Sequence, residues 1–321
     1  MPNTRVSDTP YAALGPDLVL DAIAAAGFEP DGRLLALGSY ENRVYQVGVE
    51  DGLPLVVKFY RPGRWSDEAI AEEHDFALEL EDAELPVVAP IEVDGCTLLE
   101  HAGFRYALYP RRGGRAPELD SAEHLAWMGR LLARIHGIGA RGRFHERGNV
   151  DIETFVRKPA LATLASGLLP ATLAARYERL IADVAVLLQA QLTAVGAVTT
   201  LRLHGDCHIG NVLWTDSGPH FVDLDDARMG PAVQDLWMLA PSRESLDALL
   251  EGYAEFRDFD FRERALIEPL RLMRQIHWAG WVAARWHDPA FPHAFAHVGE
   301  PRWWEEHCND LMQARSELGD P

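Results

Sequence analysis

His204-Gly205-Asp206-Cys207-His208-Ile209-Gly210-Asn211 gathers two imidazoles, a thiol, a carboxylate and an amide in one short stretch. Such a set could cage a metal, run a reaction or fill a polar turn. Zinc sites usually add a second ligand pair such as CxxC elsewhere, and the chain contains no CxxC. What separates a reaction from a turn here is spacing, because Asn211 follows Asp206 by 5 positions.

That step is the Asp-to-Asn interval of the phosphoryl-transfer loop H-R-D-x-x-x-x-N. In such a loop a carboxylate takes up the proton of the acceptor hydroxyl, and an amide oxygen ligates magnesium. Asp206 is then the expected catalytic base and Asn211 an expected metal ligand. A second carboxylate should follow on a hairpin, and Phe221-Val222-Asp223-Leu224 supplies an apolar strand ending in Asp223. Strand alternation would turn Asp225 the same way as Asp223 and Asp226 the other way, toward solvent or a structural partner.

ATP also needs a cation on its α- and β-phosphates. Lys58 ends the apolar run Leu55-Val56-Val57. Alternation sets Val56, Lys58 and Tyr60 on one face, opposite Val57 and Phe59. The lysine needs an acidic partner on the next helix, where Glu72 and Glu73 compete. Glu73 precedes Phe76, Ala77 and Leu80 at helical spacing, so it lies beside the apolar stripe and is preferred. Gly38-Ser39, between the first two strand runs, is the expected phosphate turn. It has one glycine where G-x-G-x-x-G has three, so backbone N–H groups and the Ser39 hydroxyl would hold the phosphate.

These residues need elements to carry them. The chain has 321 residues, 48% hydrophobic and 25% charged, enough for a sizeable core and for two lobes. Residues 28–110 read as a sheet of about five strands interrupted by one helix, 66–84, with Ser66 as N-cap. The strand runs are "LLALGSYENRVYQVGVEDGLPLVVKFY", "PVVAPIEV", "CTLLEHAG" and "FRYALYP". "GPDLVLDAIAAAGFEPDGR" precedes them as a helix. After the linker "RRGGRAPELD" come helical periods in "SAEHLAWMGRLLARIHGIG", "LLPATLAARYERLIADVAVLLQAQLTAVG", "SLDALLEGYAEF" and "ERALIEPLRLMRQIHWAGWVAARWH". Strand candidates at 212–215 and 219–224 form the hairpin. The expectation is an α+β, two-lobed protein-kinase-like fold, with a β-rich N-lobe at 1–110 and a mainly α-helical C-lobe at 111–321.

Thirty Lys and Arg against 49 Asp and Glu leave a net charge of −19. That surface repels nucleic-acid phosphates and anionic lipid, so neither is an expected partner. Cys96, Cys207 and Cys308 are few, odd in number and scattered, which suits a reducing compartment rather than a disulfide framework. The N-terminal "MPNTRVSDTPYAALGPD" has no basic start followed by an apolar core. No apolar run approaches the ~20 residues of a membrane span. A cytoplasmic monomer is expected.

"HGDCHIGNVLW" with "FVDLDDARMGPAVQDLWML" resembles the aminoglycoside phosphotransferase/choline kinase group, which has H-G-D for H-R-D and I/V-D-x-[DE] for D-F-G. "VVKFYRPGRWS", "EEHDFALEL" and "YPRRGGR" bring the likeness closer to the bacterial stress response kinase A family, over roughly residues 10–310. The resemblance implies an ATP- and Mg2+-dependent kinase phosphorylating Ser and Thr of proteins under stress. It implies Asp206 as base, Asn211 and Asp223 as metal ligands with Asp225 as a further one, Lys58 as the ATP lysine and Ser39 in the phosphate loop. Tyr109 and its neighbours fall at the adenine hinge, and Asp235 braces the catalytic loop. His204 would hold the loop by packing, and Cys207 would be a buried, inert thiol. With no D-F-G or A-P-E, a phosphorylated loop between those motifs is not expected. Spacing alone leaves open a small-molecule kinase of aminoglycoside, choline or homoserine type, and a nucleotide-binding pseudokinase. The net charge suggests an acidic cleft, which suits basic peptides and cationic aminoglycosides alike.

Overall fold

The computed structural model describes residues 9–319; the first eight residues of the N-terminal segment discussed above lie outside them. The N-lobe begins with helix α1 (Pro16–Ala25) and builds one antiparallel sheet. Its strands are β1 (Pro30–Ala36), β2 (Arg43–Val49), β3 (Leu55–Phe59), β4 (Leu99–His101) and β5 (Phe104–Pro110), in the order β1-β2-β3-β5-β4. Alternation decides what β3 carries. Leu55, Val57 and Phe59 enter the core with Val19, Ala22 and Ile23 of α1, while Val56 and Lys58 face the opposite side.

Helix α2 (Asp67–Asp82) starts where Ser66 accepts the Ala69 N–H at 3.1 Å, with Asp67 and Glu68 in its first turn. Ile70 packs on Tyr60 and Ala107 of the N-lobe. Phe76, Ala77 and Leu80, together with Leu85, Val87 and Ala89, join the large C-lobe core instead. Apolar packing therefore runs across residue 110, and α2 is held by both lobes.

The expected strand "PVVAPIEV" is not one. Pro86 and Pro90 lack N–H donors, so the run cannot sustain a ladder. It is an extended strap bridging the lobes, with Val88 N–H on Phe221 O at 2.9 Å and Ile91 N–H on Leu108 O at 2.7 Å. "CTLLEHAG" becomes strand only at Leu99.

The C-lobe helices are α3 (Ala122–Gly139), α4 (Lys158–Ala165), α5 (Ala171–Val195), α6 (Val233–Trp237), α7 (Arg243–Ala254), α8 (Ile267–Ala284), α9 (Ala290–Ala294) and α10 (Pro301–Gly319). Of these, α4, α6, α9 and α10 lie outside the periodic segments named above. Two small ladders carry the polar loop: β6 (Leu201–Leu203) with β9 (Arg228–Gly230), and β7 (Val212–Thr215) with β8 (Gly218–Phe221). Among the described residues no helix is long and apolar enough to cross a membrane.

A buried carboxylate anchors the start of α6. Glu263 accepts the Val233 N–H at 2.8 Å, and burial pushes its carboxyl from 4.5 up to about 7. A carboxyl raised on folding stabilises the folded state while protonated, and that contribution is lost as pH rises from 4.5 toward 7. Glu263→Gln keeps an acceptor without the charge. It should be more stable than wild type at pH 8 by up to about 3 kcal/mol, with no such gain at pH 4.5. Denaturant melts at the two pH values check this; an equal gain at both would mean Glu263 is not the titrating group.

Candidate active site

Strand β6 delivers the loop 204–211, and its first residues are fixed from α6. Asp235, fully buried, accepts the His204 N–H at its Oδ2 and the Gly205 N–H at its Oδ1, both at 2.9 Å. His136 Nε2 lies 3.2 Å from the same carboxylate. Gly205 has φ +86°, and a Cβ there would fall 2.1 Å from Asp226 O, so no other residue fits between loop and hairpin. His204 Nε2 is 3.0 Å from Val222 O, which occupies that nitrogen within the fold. Cys207 is fully buried, and burial pushes its thiol well above the usual range, so it offers no thiolate.

The end of the loop turns back on its start. Asn211 Nδ2–H donates to Asp206 O at 3.0 Å, which leaves the amide oxygen for a cation. The Asp206 carboxylate is flanked by Arg274 Nη1 at 2.6 Å and His208 Nε2 at 3.4 Å. His208 Nδ1 accepts the Gly210 N–H at 2.9 Å. Burial raises the Asp206 carboxyl, but the His208 hydrogen bond and the Arg274 charge outweigh it, and it ends below the usual range. The Arg274 guanidinium thus sets one cation against Asp206 in a site that otherwise gathers the carboxylates of Glu73, Asp223 and Asp225.

Lys58 stands across the cleft among three carboxylates. Its Nζ lies 3.0 Å from Asp223, 3.2 Å from Asp225 and 3.6 Å from Glu73. Burial alone would favour the neutral amine; the three acids reverse that and hold the ammonium well above its usual range. For Glu73 burial dominates over Lys58 and Arg147 and raises the carboxyl. The competing Glu72 points away and accepts the N–H groups of His145, Glu146 and Arg147 at 2.6, 3.0 and 3.1 Å.

The Asp223 and Asp225 carboxylates do converge on Lys58, but not by strand alternation. Strand β8 ends at Phe221, Asp223 takes a left-handed φ of 62°, and 224–226 form a single 3-10 turn. Aspartate tolerates that conformation better than most residues, and strain of this kind concentrates at functional sites. The Asp223 side chain is 51% exposed at the cleft. Asp225 is 4% exposed and engaged by Asn42 Nδ2, Arg64 and Lys58. Asp225, expected as a further metal ligand, is thus held by protein cations in this structure, and Asp223 is the more exposed of the two carboxylates. Asp226 is paired with Arg64 at 2.9 Å and with Arg228 at 2.5 Å, a structural acid rather than a solvated one.

Between the lobes lies a cleft of about 320 Å³. Gly38 and Ser39 of the β1–β2 turn, Lys58, Asn211 and Asp223 line its polar end. Leu37, Val44 and Val56 face Leu213 and Val222 across an apolar slot. Tyr109 lines the cleft too, but its hydroxyl is tied inward: it lies 3.0 Å from Tyr60 Oη, itself 2.7 Å from His74 Nε2. Burial lowers His74 to about 3, so the imidazole in that chain is neutral. Tyr109 therefore forms the wall behind Lys58.

Sequence reasoning missed the arginines around the site. Arg147 is fully buried and donates to Ala227 O at 2.6 Å, to Ala69 O at 2.8 Å and to Asp225 O. Arg61 and Arg285 clasp Glu41, which also accepts Trp281 Nε1–H, and Tyr40 packs on Phe295. The phosphate turn is thereby tied to the C-lobe.

The family described as "Phosphotransferase enzyme family" matches residues 33–267. Stress response kinase A of Escherichia coli is 43% identical over 311 residues, covering 95% of this chain and 94% of that protein. Serine/threonine protein kinase RdoA of Salmonella typhimurium is 42% identical over 324 residues, covering 97% and 95%. Among solved structures, amicoumacin kinase hAmiN in complex with AMP-PNP, Ca2+ and Ami superposes with a TM-score of 0.68 at 19% identity, over 95% of this chain and 93% of that one. At that identity the likeness is one of fold.

Proposed function

The chain belongs to the phosphotransferase enzyme family, and from that premise we propose that it is a protein Ser/Thr kinase of the stress response kinase A type, using ATP and Mg2+. The observation that carries this is the mouth of the cleft. There Lys58 Nζ meets Asp223 at 3.0 Å, with Asn211 on the same rim and Asp206 tied to Asn211 through its own carbonyl.

Each residue has a role on this reading. Asp206 accepts the proton of the acceptor hydroxyl as the oxygen–phosphorus bond forms and the bond to ADP breaks. Lys58 neutralises the α- and β-phosphates, and Glu73 and Asp225 hold Lys58 in place. Ser39 and the backbone beside it take phosphate oxygens; the apolar slot, with Tyr109 behind it, takes the base. Asn211 and Asp223 would hold Mg2+, whose charge screens the phosphate oxygens. Two protein oxygens suit an ion of this kind. The rest is positioning and electrostatics.

The choice of acceptor rests on the relatives and on charge. A polycationic aminoglycoside would meet like charge at Arg274, whereas a serine or threonine hydroxyl brings none. The same reading takes the protein as a cytoplasmic monomer divided into lobes near residue 110, and its charge of −19 disfavours nucleic acid and anionic membrane as partners.

Labelled ATP tests the proposal. With Mg2+, label should reach serine and threonine of protein acceptors, and chelating the metal should lower the rate by about a hundredfold or more. Transfer confined to amino alcohols or sugars would sink the protein-kinase reading. No transfer at all, with nucleotide bound, would mean a pseudokinase.

A further inference from the structure

Arg274 belongs to no part of the phosphotransfer machinery assembled so far, yet it makes one of the shortest polar contacts at the site. Its Nη1 donates to Asp206 Oδ1 at 2.6 Å, across 68 positions of sequence. Neither partner is in the core: their side chains are 34% and 24% exposed, so the pair is open to solvent. The arginine projects from α8, whose position is fixed by buried Leu270, Met273 and Ile276. The packed helix fixes the backbone of Arg274, its guanidinium is planar, and an arginine–carboxylate bond is charge-assisted and directional.

The carboxylate of an aspartate rotates easily about its last torsion. Among the described residues the second oxygen of Asp206 has only His208 Nε2, at the long distance of 3.4 Å. Without a clamp on one oxygen, neither would hold a fixed direction toward an incoming hydroxyl. We propose that Arg274 is a positioning residue for phosphoryl transfer: it fixes Asp206 Oδ1 and so presents Oδ2 to the acceptor hydroxyl. The inference rests on the reading of Asp206 as the base. Titratable and charged groups facing Asp206 come from its own loop, in His208, from α8, in Arg274, and from the turn after β8, in Asp226. Among the described residues Arg274 is the one whose side chain reaches the carboxylate directly from another element.

Arg274→Gln removes the charge and the fork but leaves the helix face. It should lower kcat by about a hundredfold, the usual penalty for a reacting group displaced by about an ångström, with KM for ATP unchanged. Arg274→Lys restores a cation at Oδ1 without the planar fork and should recover about tenfold of that loss. In an Asp206→Asn background, single-turnover assays should find no further loss from Arg274→Gln, because residues acting through one another are not additive. Thermal stabilisation by ATP should match wild type in each Arg274 variant, which separates the effect from misfolding. The inference is overturned if Arg274→Gln keeps kcat within about threefold of wild type, if its loss lies in KM for ATP, or if the full loss recurs in the Asp206→Asn background. If Asp206→Asn itself stays active, the reading of the base has failed, and the role of Arg274 goes with it.

Discussion

Asp206→Ala should lower phosphoryl transfer by at least about a thousandfold while leaving the affinity for ATP within about threefold of wild type. The two halves of that result come from different parts of the structure. The carboxylate is the group placed to take the acceptor proton, and general-base catalysis contributes about 10²–10⁴ in rate. The loop does not depend on the side chain. Its start is fixed by Asp235 on the His204 and Gly205 amides, and its end by Asn211 on the Asp206 backbone carbonyl, which alanine retains. Arg274, left without its partner, is 34% exposed and can hydrate. The residues lining the nucleotide cleft include Asn211 and Asp223 but not Asp206. Retention of more than about a tenth of the rate, roughly 1.4 kcal/mol of barrier, would remove Asp206 from the base role. Isothermal titration with a nonhydrolysable ATP analogue supplies the second half; a large loss there would mean the substitution had collapsed the loop.

What could be read from the sequence was what local periodicity encodes. The 5-residue step from Asp206 to Asn211 is a property of one loop. Lys58 was legible because strand alternation sends it away from Val57 and Phe59, and Glu73 because helical spacing sets it beside the Phe76, Ala77 and Leu80 stripe. The strap 86–93 was misread because its apolar content looks like strand until its prolines are counted as missing donors. The premise for Asp225 failed for a related reason: a positive φ at Asp223 breaks the alternation, and no residue type requires it. The arginines were illegible in a stronger sense. Arg64 meets Asp225 across 161 positions and Arg274 meets Asp206 across 68. Periodicity reports which face of an element is apolar. It carries nothing about which distant charge will arrive opposite a given carboxylate.

Lys58→Met should reduce transfer by about 10²–10³ and also change how stability depends on pH, and the second effect identifies the arrangement more sharply than the first. Removing one partner of a buried ion pair typically costs about 3–5 kcal/mol, because the other charge stays behind. Here three acids would be left, but not equally exposed to that penalty. Asp223 is 51% exposed and can hydrate, and Asp225 keeps Arg64. Among the described residues Glu73 keeps only Arg147, at 3.6 Å, and is 3% exposed. The cost should therefore fall mainly on Glu73. With Lys58 present, burial already raises this carboxyl above its usual range. Without Lys58 it rises further, so the folded state holds the proton more tightly than the unfolded chain does. The sign follows directly: below the ordinary carboxyl range the variant loses little, and its deficit widens as pH climbs through the raised value. Denaturant melts should find Lys58→Met closer to wild type at pH 5 than at pH 8. Adding Glu73→Gln should return much of the stability at pH 8 and none of the activity, since the phosphates still lack their cation. A deficit independent of pH would place the lost stability in packing around the lysine stem rather than in the stranded glutamate. Recovery of activity in the double variant would mean that Lys58 serves to neutralise Glu73 and not to hold ATP.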